Sequence, residues 1–149
     1  MTPSKFGDDF KVGDVFRTAA ITVTETHVVS WAGLTGDFYP LHMDREYAAR
    51  TQFGERLVHG PFIFALAVGL VALAGFAGDS AIAWLGVDGM RMLAPVKIGD
   101  TVRVEVRVKE TRPTSNPRKG VQVWTYTVLN QRDEQVLVFD YQLMFHMRG

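Results

Sequence analysis

The stretch that decides the fold is Pro61–Ala77, PFIFALAVGLVALAGFA, which contains no charged or hydrogen-bonding side chain. As a helix rising 1.5 Å per residue, its seventeen residues would reach roughly 25 Å, less than the ~30 Å hydrocarbon core of a bilayer. Gly69 and Gly75 interrupt the segment, and Pro61 suits the first turn of a helix, because its missing N–H would have no partner there. The segment therefore predicts a helix that is buried on all sides in a protein core rather than a membrane span.

The chain that follows this helix is typical of β-strands. In residues 101–109, four valines alternate with charged and polar residues, as expected for a strand with one buried face. Further strands are predicted at 14–23, 81–92, 121–129 and 135–147, a hairpin loop at 112–120, and short helices at 25–34 and 44–50. Strands joined by hairpins pair antiparallel, and a wholly apolar helix needs cover on every side. We therefore expect an α+β fold in which an antiparallel sheet wraps around the long apolar helix.

Bulk composition limits the function further. The chain has 149 residues, the size of one domain, and 47% of them are apolar, enough for a core. Its 16 basic and 16 acidic residues leave no positive surplus for nucleic acid. The lack of cysteine excludes disulfides, thiolate catalysis and cysteine-based zinc sites, and it fits a cytoplasmic protein. The polar segment Met1–Asp9 is not expected to be a signal peptide.

A candidate site lies just before the apolar helix. In the segment Gly36-Asp37-Phe38-Tyr39-Pro40-Leu41-His42, a carboxylate and an imidazole share a loop stiffened by proline, and His59-Gly60-Pro61 follows seventeen residues later. Asp37 and His42 can move protons, and the Gly60 amide at a helix N-terminus can stabilise an oxyanion. Alone, Asp37 would be an ordinary turn residue and His42 an ordinary hydrogen-bonded histidine. Together they favour an enzyme that adds water to, or removes it from, a carbon conjugated to a carbonyl.

Two stretches resemble a known family. Residues 35–62, TGDFYPLHMDREYAARTQFGERLVHGPF, resemble the hydratase signature of the MaoC-like dehydratases, which are hot-dog fold enzymes acting on 2-enoyl thioesters. The family pattern is close to G-D-x-N-P-x-H, then D-x-x-(Y/F)-A, then H-G before the central helix. Residues 86–102, GVDGMRMLAPVKIGDTV, are similar to the family's second-strand region, which ends in P-V-x-x-G-D. The resemblance implies one hot-dog domain over residues 1–149.

The resemblance also implies roles for individual residues. Asp37 and His42 would be the catalytic pair of an R-specific enoyl-CoA hydratase, and the Gly60 amide would hold the thioester oxygen. In hydration, Asp37 is expected to act as the base, while His42 orients the same water and shares the proton transfer. The substrate would be an acyl-CoA, either an enoyl or a 3-hydroxyacyl thioester. Because the family's active site usually lies at a dimer interface, a homodimer or a higher oligomer is implied.

The sequence departs from the family pattern at two places. Tyr39 stands where the family has asparagine, and residues 61–77 carry no serine or threonine, although some members have a serine on this helix. Tyr39 and Phe62 could line an acyl pocket or simply belong to the core. His59 could shape the site or pack the turn before the helix.

Other functions stay open at this point. The hot-dog fold also serves acyl-CoA thioesterases, and Tyr39 would be compatible with a non-catalytic acyl-thioester-binding subunit of a heteromeric dehydratase. Arg112, Arg118 and Lys119 could meet the phosphates of coenzyme A or belong to a solvated loop. No cofactor and no membrane association are predicted. No metal is predicted either, because the spacing of the candidate ligands matches no familiar metal-binding pattern; these ligands are Asp37, His42, Asp44 and His59.

Overall fold

The long apolar segment forms the central helix of the protein. A computed structural model describes residues 2–149, and Met1 lies outside the described residues. The helices are α1 (Glu25–Thr35), α2 (Pro40–Met43), α3 (Arg45–Ala49) and α4 (Gly60–Ala74). The strands are β1 (Val15–Arg17), β2 (Ile21–Thr22), β3 (Ala81–Met92), β4 (Thr101–Pro113), β5 (Lys119–Leu129) and β6 (Gln135–His146).

The strands form one antiparallel sheet in the order β1-β4-β5-β6-β3, and β2 also pairs with β4. The four alternating valines of β4 are at most 1% exposed, as their spacing predicted. They share the core with Ile63 and Ala67 of α4 and with Phe139 and Phe145 of β6. The predicted α+β architecture, with a sheet wrapped around an apolar helix, is confirmed.

The central helix differs from the prediction in its bounds and in its exposure. It begins at Gly60 and ends at Ala74, because Gly75 adopts the left-handed conformation (φ 69°) that terminates helices. The expectation that it is buried on all sides is wrong: Leu73 is 85% exposed, and Gly69, Ala72 and Ala74 are also exposed. The sheet of this chain covers only part of the helix surface, and a uniformly apolar sequence does not show which side stays exposed. Among residues 2–149, no helix combines the length and the apolar character needed to cross a bilayer.

Two other predicted elements have different limits. The strand predicted over 14–23 is divided into β1 and β2, because the Thr18 hydroxyl accepts the Val104 N–H at 3.0 Å and so replaces a backbone partner. The predicted loop 112–120 is shorter, since Arg112 pairs with Val121 and Pro113 with Gly120 in the β4–β5 hairpin. A proline is tolerated there because this end of β4 has no second neighbouring strand.

Strand β3 is the long edge of the sheet. It pairs only with β6, and Gly89 lies in the left-handed region (φ 61°) within a register shift between Asp88 and Arg91. A register shift of this kind is typical of a β-bulge, and Gly89 supplies the positive φ at this place. Large apolar side chains on both faces of β3 are exposed in the single chain, among them Ile82, Trp84, Leu85, Met90 and Met92.

Candidate active site

The loop between α1 and α2 presents Asp37 and His42. Gly36 ends α1 in the left-handed conformation (φ 79°), which redirects the chain. The Asp37 carboxylate then accepts the N–H of Tyr39 at 3.3 Å, and Pro40 opens the single turn that carries His42. Both Asp37 and His42 are half-buried. The local sequence thus places a carboxylate and an imidazole on one side of a rigid loop.

Two backbone carbonyls determine which nitrogen of each imidazole carries the proton. Nδ1 of His42 lies 2.8 Å from the Leu57 carbonyl oxygen, and Nε2 of His59 lies 2.9 Å from the Asp37 carbonyl oxygen. A carbonyl oxygen only accepts hydrogen bonds, so each of these nitrogens donates its N–H. Nε2 of His42 therefore carries the free lone pair, which is the form that can accept a proton.

His59 supports this loop from the buried side, through contacts with both Asp37 and His42. It is 0% exposed, and its ring stacks on that of His42 with the centroids 4.0 Å apart. Its N–H to Asp37 fixes the backbone of one member of the pair, and its ring supports the other. Its Nδ1 is the one buried side-chain polar atom in the described part of the chain that has no hydrogen-bond partner. His59 thus contacts both members of the pair from the buried side.

A half-buried arginine, which no motif in the sequence indicates, also anchors this loop. Nε of Arg56 donates to the His42 carbonyl oxygen at 2.6 Å, and its guanidinium forms an ion pair of 2.9 Å with Glu25 at the start of α1. Charge-assisted bonds of this kind are among the stronger ones in proteins. Arg56 and Glu25 are 31 residues apart, so no local sequence signal could have revealed the contact.

The start of α4 supplies free backbone donors. The N–H groups of Gly60 and Phe62 donate to no backbone carbonyl or side chain of residues 2–149, and Pro61 between them has none. Such groups at a helix N-terminus attract negative charge. Gly60 and His42 line the same cavity of about 340 Å³, and Met92 and Leu93 also line it. The structure thus brings Asp37, His42, His59 and Gly60 together.

Two other predicted site residues, Tyr39 and Phe62, do not line the cavity of His42 and Gly60. Tyr39 is 55% exposed, and its ring centroid lies 6.1 Å from that of His42 and 6.4 Å from that of Tyr47. Phe62 packs against the rings of His27 and Trp31 on α1, at 5.7 Å from each, and it does not line the cavity of His42 and Gly60.

The basic residues of the β4–β5 hairpin also lie outside this cavity. Arg112, which the sequence offered as a contact for phosphate, forms a 2.6 Å ion pair with Glu110 instead. Arg118 and Lys119 lie at the tip and base of the same hairpin.

The geometry also bears on metal binding. Asp37, His42 and His59 each offer a ligand atom within 4.8 Å of the others, whereas the Asp44 side chain instead accepts the Tyr47 N–H at the start of α3. Imidazole lone pairs lie in the ring plane, so two stacked rings direct them side by side rather than toward one ion. Proton transfer is therefore the chemistry that this arrangement favours.

The chain belongs to the MaoC like domain family, whose model matches residues 9–130. It is 40% identical over 105 residues to Protein MaoC of Klebsiella aerogenes, covering 70% of this chain and 31% of that protein. It is 37% identical over 91 residues to a 3-hydroxybutyryl-CoA dehydratase of Methylorubrum extorquens, covering 61% of this chain and 56% of that protein. The chain therefore spans about a third and about half of the length of these two relatives.

Solved structures of similar proteins agree with this assignment. A monoamine oxidase regulatory protein from Archaeoglobus fulgius superposes with a TM-score of 0.92 at 32% identity, covering 97% of this chain and 96% of that one. An (R)-hydratase from A. caviae superposes with a TM-score of 0.76 at 26% identity, covering 92% of this chain and 98% of that one. A Mycobacterium tuberculosis protein with a double hotdog fold gives a TM-score of 0.85 at 22% identity, covering 97% of this chain and 45% of that one. The fold is a hot-dog fold.

Proposed function

We propose that the protein is a hydratase or dehydratase that adds water to a 2-enoyl thioester of the acyl-CoA type or removes it from the 3-hydroxyacyl product. The observation that carries the proposal is that a carboxylate oxygen of Asp37 and a ring nitrogen of His42 lie within 4.8 Å of each other, while His42 and Gly60 line one cavity. The Gly60 N–H has no partner among the described residues. The names of relatives support it, since they include (R)-specific enoyl-CoA hydratases and a 3-hydroxybutyryl-CoA dehydratase.

The reaction follows from the hydrogen-bonding capacity of each group. One water donates its two protons to the Asp37 carboxylate and to Nε2 of His42, because both are acceptors. In hydration, Asp37 takes one proton while the water oxygen bonds to the β-carbon, and the electrons of the double bond move onto the thioester oxygen. The Gly60 N–H stabilises that oxyanion. The proton then returns to the α-carbon, so one molecule of water has been added.

The test is an assay of enone absorbance with crotonyl-CoA and longer enoyl-CoAs. Asp37→Asn keeps an oxygen that can accept the Tyr39 N–H but loses the base. His42→Asn keeps a side-chain N–H that can reach the Leu57 carbonyl but has no counterpart of Nε2. General acid–base groups typically contribute about 10²–10⁴-fold, and each variant is expected to lose turnover by that order.

A matched control separates loss of the pair from general effects of an Asp→Asn change. Asp133 lies in the exposed β5–β6 turn with φ 62°, a conformation that asparagine also adopts readily. Asp133→Asn is therefore expected to keep full turnover. Undiminished turnover in both Asp37→Asn and His42→Asn would refute the proposed pair.

The same assay distinguishes the alternative functions. Release of free CoA thiol together with an unsaturated free acid would identify an acyl-CoA thioesterase, because hydration releases no thiol. Binding of acyl-CoA without any turnover would identify a non-catalytic acyl-thioester-binding subunit. No described contact favours either alternative, and the intact Asp37 and His42 favour the hydratase.

We also propose that the protein acts as a homodimer that pairs through β3. Strand β3 has twelve residues, pairs with a neighbour on one side only, and carries exposed apolar side chains on both faces. Proteins normally cover such a surface. Met92, at the end of this strand, and Leu93, the next residue, form a wall of the His42 cavity, so a second copy docked here would also close the site.

The dimer can be tested with two substitutions of equal starting exposure. Leu85 on β3 and Val29 on α1 are both 47% exposed. Leu85→Lys is expected to lower the molar mass measured by light scattering after size exclusion to that of one chain, whereas Val29→Lys is expected to leave the wild-type mass. An unchanged mass for Leu85→Lys, or a monomeric wild type, would contradict the proposed interface.

Two broader proposals remain. The cysteine-free sequence supports a cytoplasmic location. The continuous sheet from β1 to β3 supports treating residues 1–149 as one domain.

A further inference from the structure

A second cavity lies between the C-terminal half of α4 and the sheet. It measures about 240 Å³, and most of its wall is apolar, including Val68, Val71, Phe76 and Leu143. Val68 follows Gly60 by eight residues, which is ~12 Å along a helix axis. Residues 60, 64, 68 and 71 recur at the spacing of one helix face. The cavity therefore lies on the same face of α4 as the proposed oxyanion donor, farther along the helix.

Two phenols form part of this wall. Tyr126 is 2% exposed and Tyr141 is 8% exposed, and their ring centroids are 5.0 Å apart. Neither hydroxyl takes part in any side-chain hydrogen bond of residues 2–149, although Trp124 in the same wall donates its N–H to Gln122 at 2.9 Å. Both hydroxyls are therefore available to a molecule that enters the cavity, since buried polar groups nearly always take a partner.

The phenol oxygens are open to the cavity rather than sealed in the core. In the described part of the chain, His59 Nδ1 is the one side-chain polar atom that is both sealed from solvent and unpaired. The hydroxyls of Tyr126 and Tyr141 are not sealed in this way, and both residues line the cavity. Burial raises the pKa of both phenols, so each remains a protonated O–H group at neutral pH.

The chemistry of the wall defines what fits. Apolar side chains favour a hydrocarbon chain, while two O–H groups favour an oxygen atom that can accept a hydrogen bond. The wall, as far as residues 2–149 form it, carries no charged side chain, so the oxygen would be neutral: a hydroxyl, a carbonyl or an ether. A carboxylate buried there would lack a counter-charge.

We propose that this cavity receives the far end of the acyl chain, and that Tyr126 and Tyr141 select chains carrying a neutral oxygen function there. The inference rests on the proposed function and narrows its substrate class to medium-chain thioesters oxygenated at or near the terminus. Phe64 lies between Gly60 and the cavity along the helix and contacts the rings of Trp84 and Tyr141. A chain that reaches the phenols would have to displace the Phe64 ring, so Phe64 is expected to move on binding.

The test measures binding rather than turnover. Two saturated medium-chain acyl-CoAs of equal length, one ending in methyl and one in a hydroxyl, are titrated calorimetrically into wild type. The hydroxylated ligand is expected to bind about five- to tenfold tighter, as one net hydrogen bond would give. In Tyr126→Phe/Tyr141→Phe this ratio is expected to fall to about one or below.

Two controls make the result specific. Tyr47→Phe changes a phenol outside the cavity wall and is expected to keep the wild-type ratio. Val68→Phe fills the cavity and is expected to weaken both medium-chain ligands but not butyryl-CoA.

Each outcome decides one question. Equal affinities of the two ligands for wild type, or a ratio unchanged in the double variant, would overturn the inference while leaving the proposed function intact. Failure of every acyl-CoA to bind would instead overturn the proposed function, and the inference with it.

Discussion

Replacing Gly60 with proline tests the proposed oxyanion donor with little disturbance of the helix. Proline removes the N–H, but Gly60 is the first residue of α4, where that group has no partner within the helix and where proline is common. His59 before it has φ −58° and ψ 127°, the extended conformation that a residue preceding proline adopts. We therefore expect Gly60→Pro to fold.

The expected loss follows from the number of donors at this helix end. Gly60 and Phe62 carry the free N–H groups there, and Gly60→Pro removes one of the two. Loss of one such donor costs roughly 2.7–4 kcal/mol, or about 10²–10³-fold in kcat. Because the oxyanion charge exists only in the transition state, kcat and kcat/KM should fall together.

Gly60→Ala is the matched control. It keeps the N–H and adds a Cβ that would lie 3.6 Å from Cγ and Sδ of Met92, an ordinary van der Waals contact. Its kcat is expected to stay within about tenfold of wild type, because the barrier changes by less than ~1.4 kcal/mol.

The assay compares both variants with wild type on the best enoyl-CoA substrate. Circular dichroism and thermal melting first establish that each is folded. A Gly60→Pro protein that melts like wild type and whose kcat lies within about tenfold of Gly60→Ala would refute the role of this amide.

Three further predictions concern stability and the support of the site. Ile63→Ala opens a cavity at a fully buried position and should lower the free energy of unfolding by roughly 2–5 kcal/mol in urea titrations; a smaller loss would mean that the core repacks. Gly89→Ala should lower the free energy of unfolding by about 1 kcal/mol through backbone strain alone, since φ is 61° and the added Cβ would meet nothing within 4 Å. An unchanged denaturation midpoint would contradict this. His59→Phe keeps a ring beside His42 but leaves the Asp37 carbonyl without its hydrogen bond, so the kcat of the variant should fall below that of wild type in the hydration assay. Equal kcat values of variant and wild type would show that this hydrogen bond is dispensable.

Much of the fold was predictable because its signals are local. The alternating valines of β4 report the conformation of their own segment, and the structure confirms the strand that they predict. The errors arose where a distant partner decides. The Thr18 hydroxyl interrupts the first predicted strand by accepting a hydrogen bond from Val104, a residue 86 positions away.

The candidate site was predictable in its members but not in its geometry. The motif spacing identified Asp37, His42 and Gly60, and the structure brings them together. Phe62, named with them, packs against α1 instead, because neighbours in sequence on a helix point to different faces. Arg56, which anchors the loop, had no motif of its own.

By itself, the sequence determined the fold class, the family and the candidate residues for proton transfer, since these depend on residue type and on short-range spacing. The tertiary structure decided the His42 tautomer, because that depends on a carbonyl fifteen residues away. It also decided which amides at α4 stay free and that Tyr126 and Tyr141 face a cavity without partners. The physical reason is common to all three: an unpaired donor or lone pair is defined by everything that surrounds it, and only the folded chain assembles those surroundings.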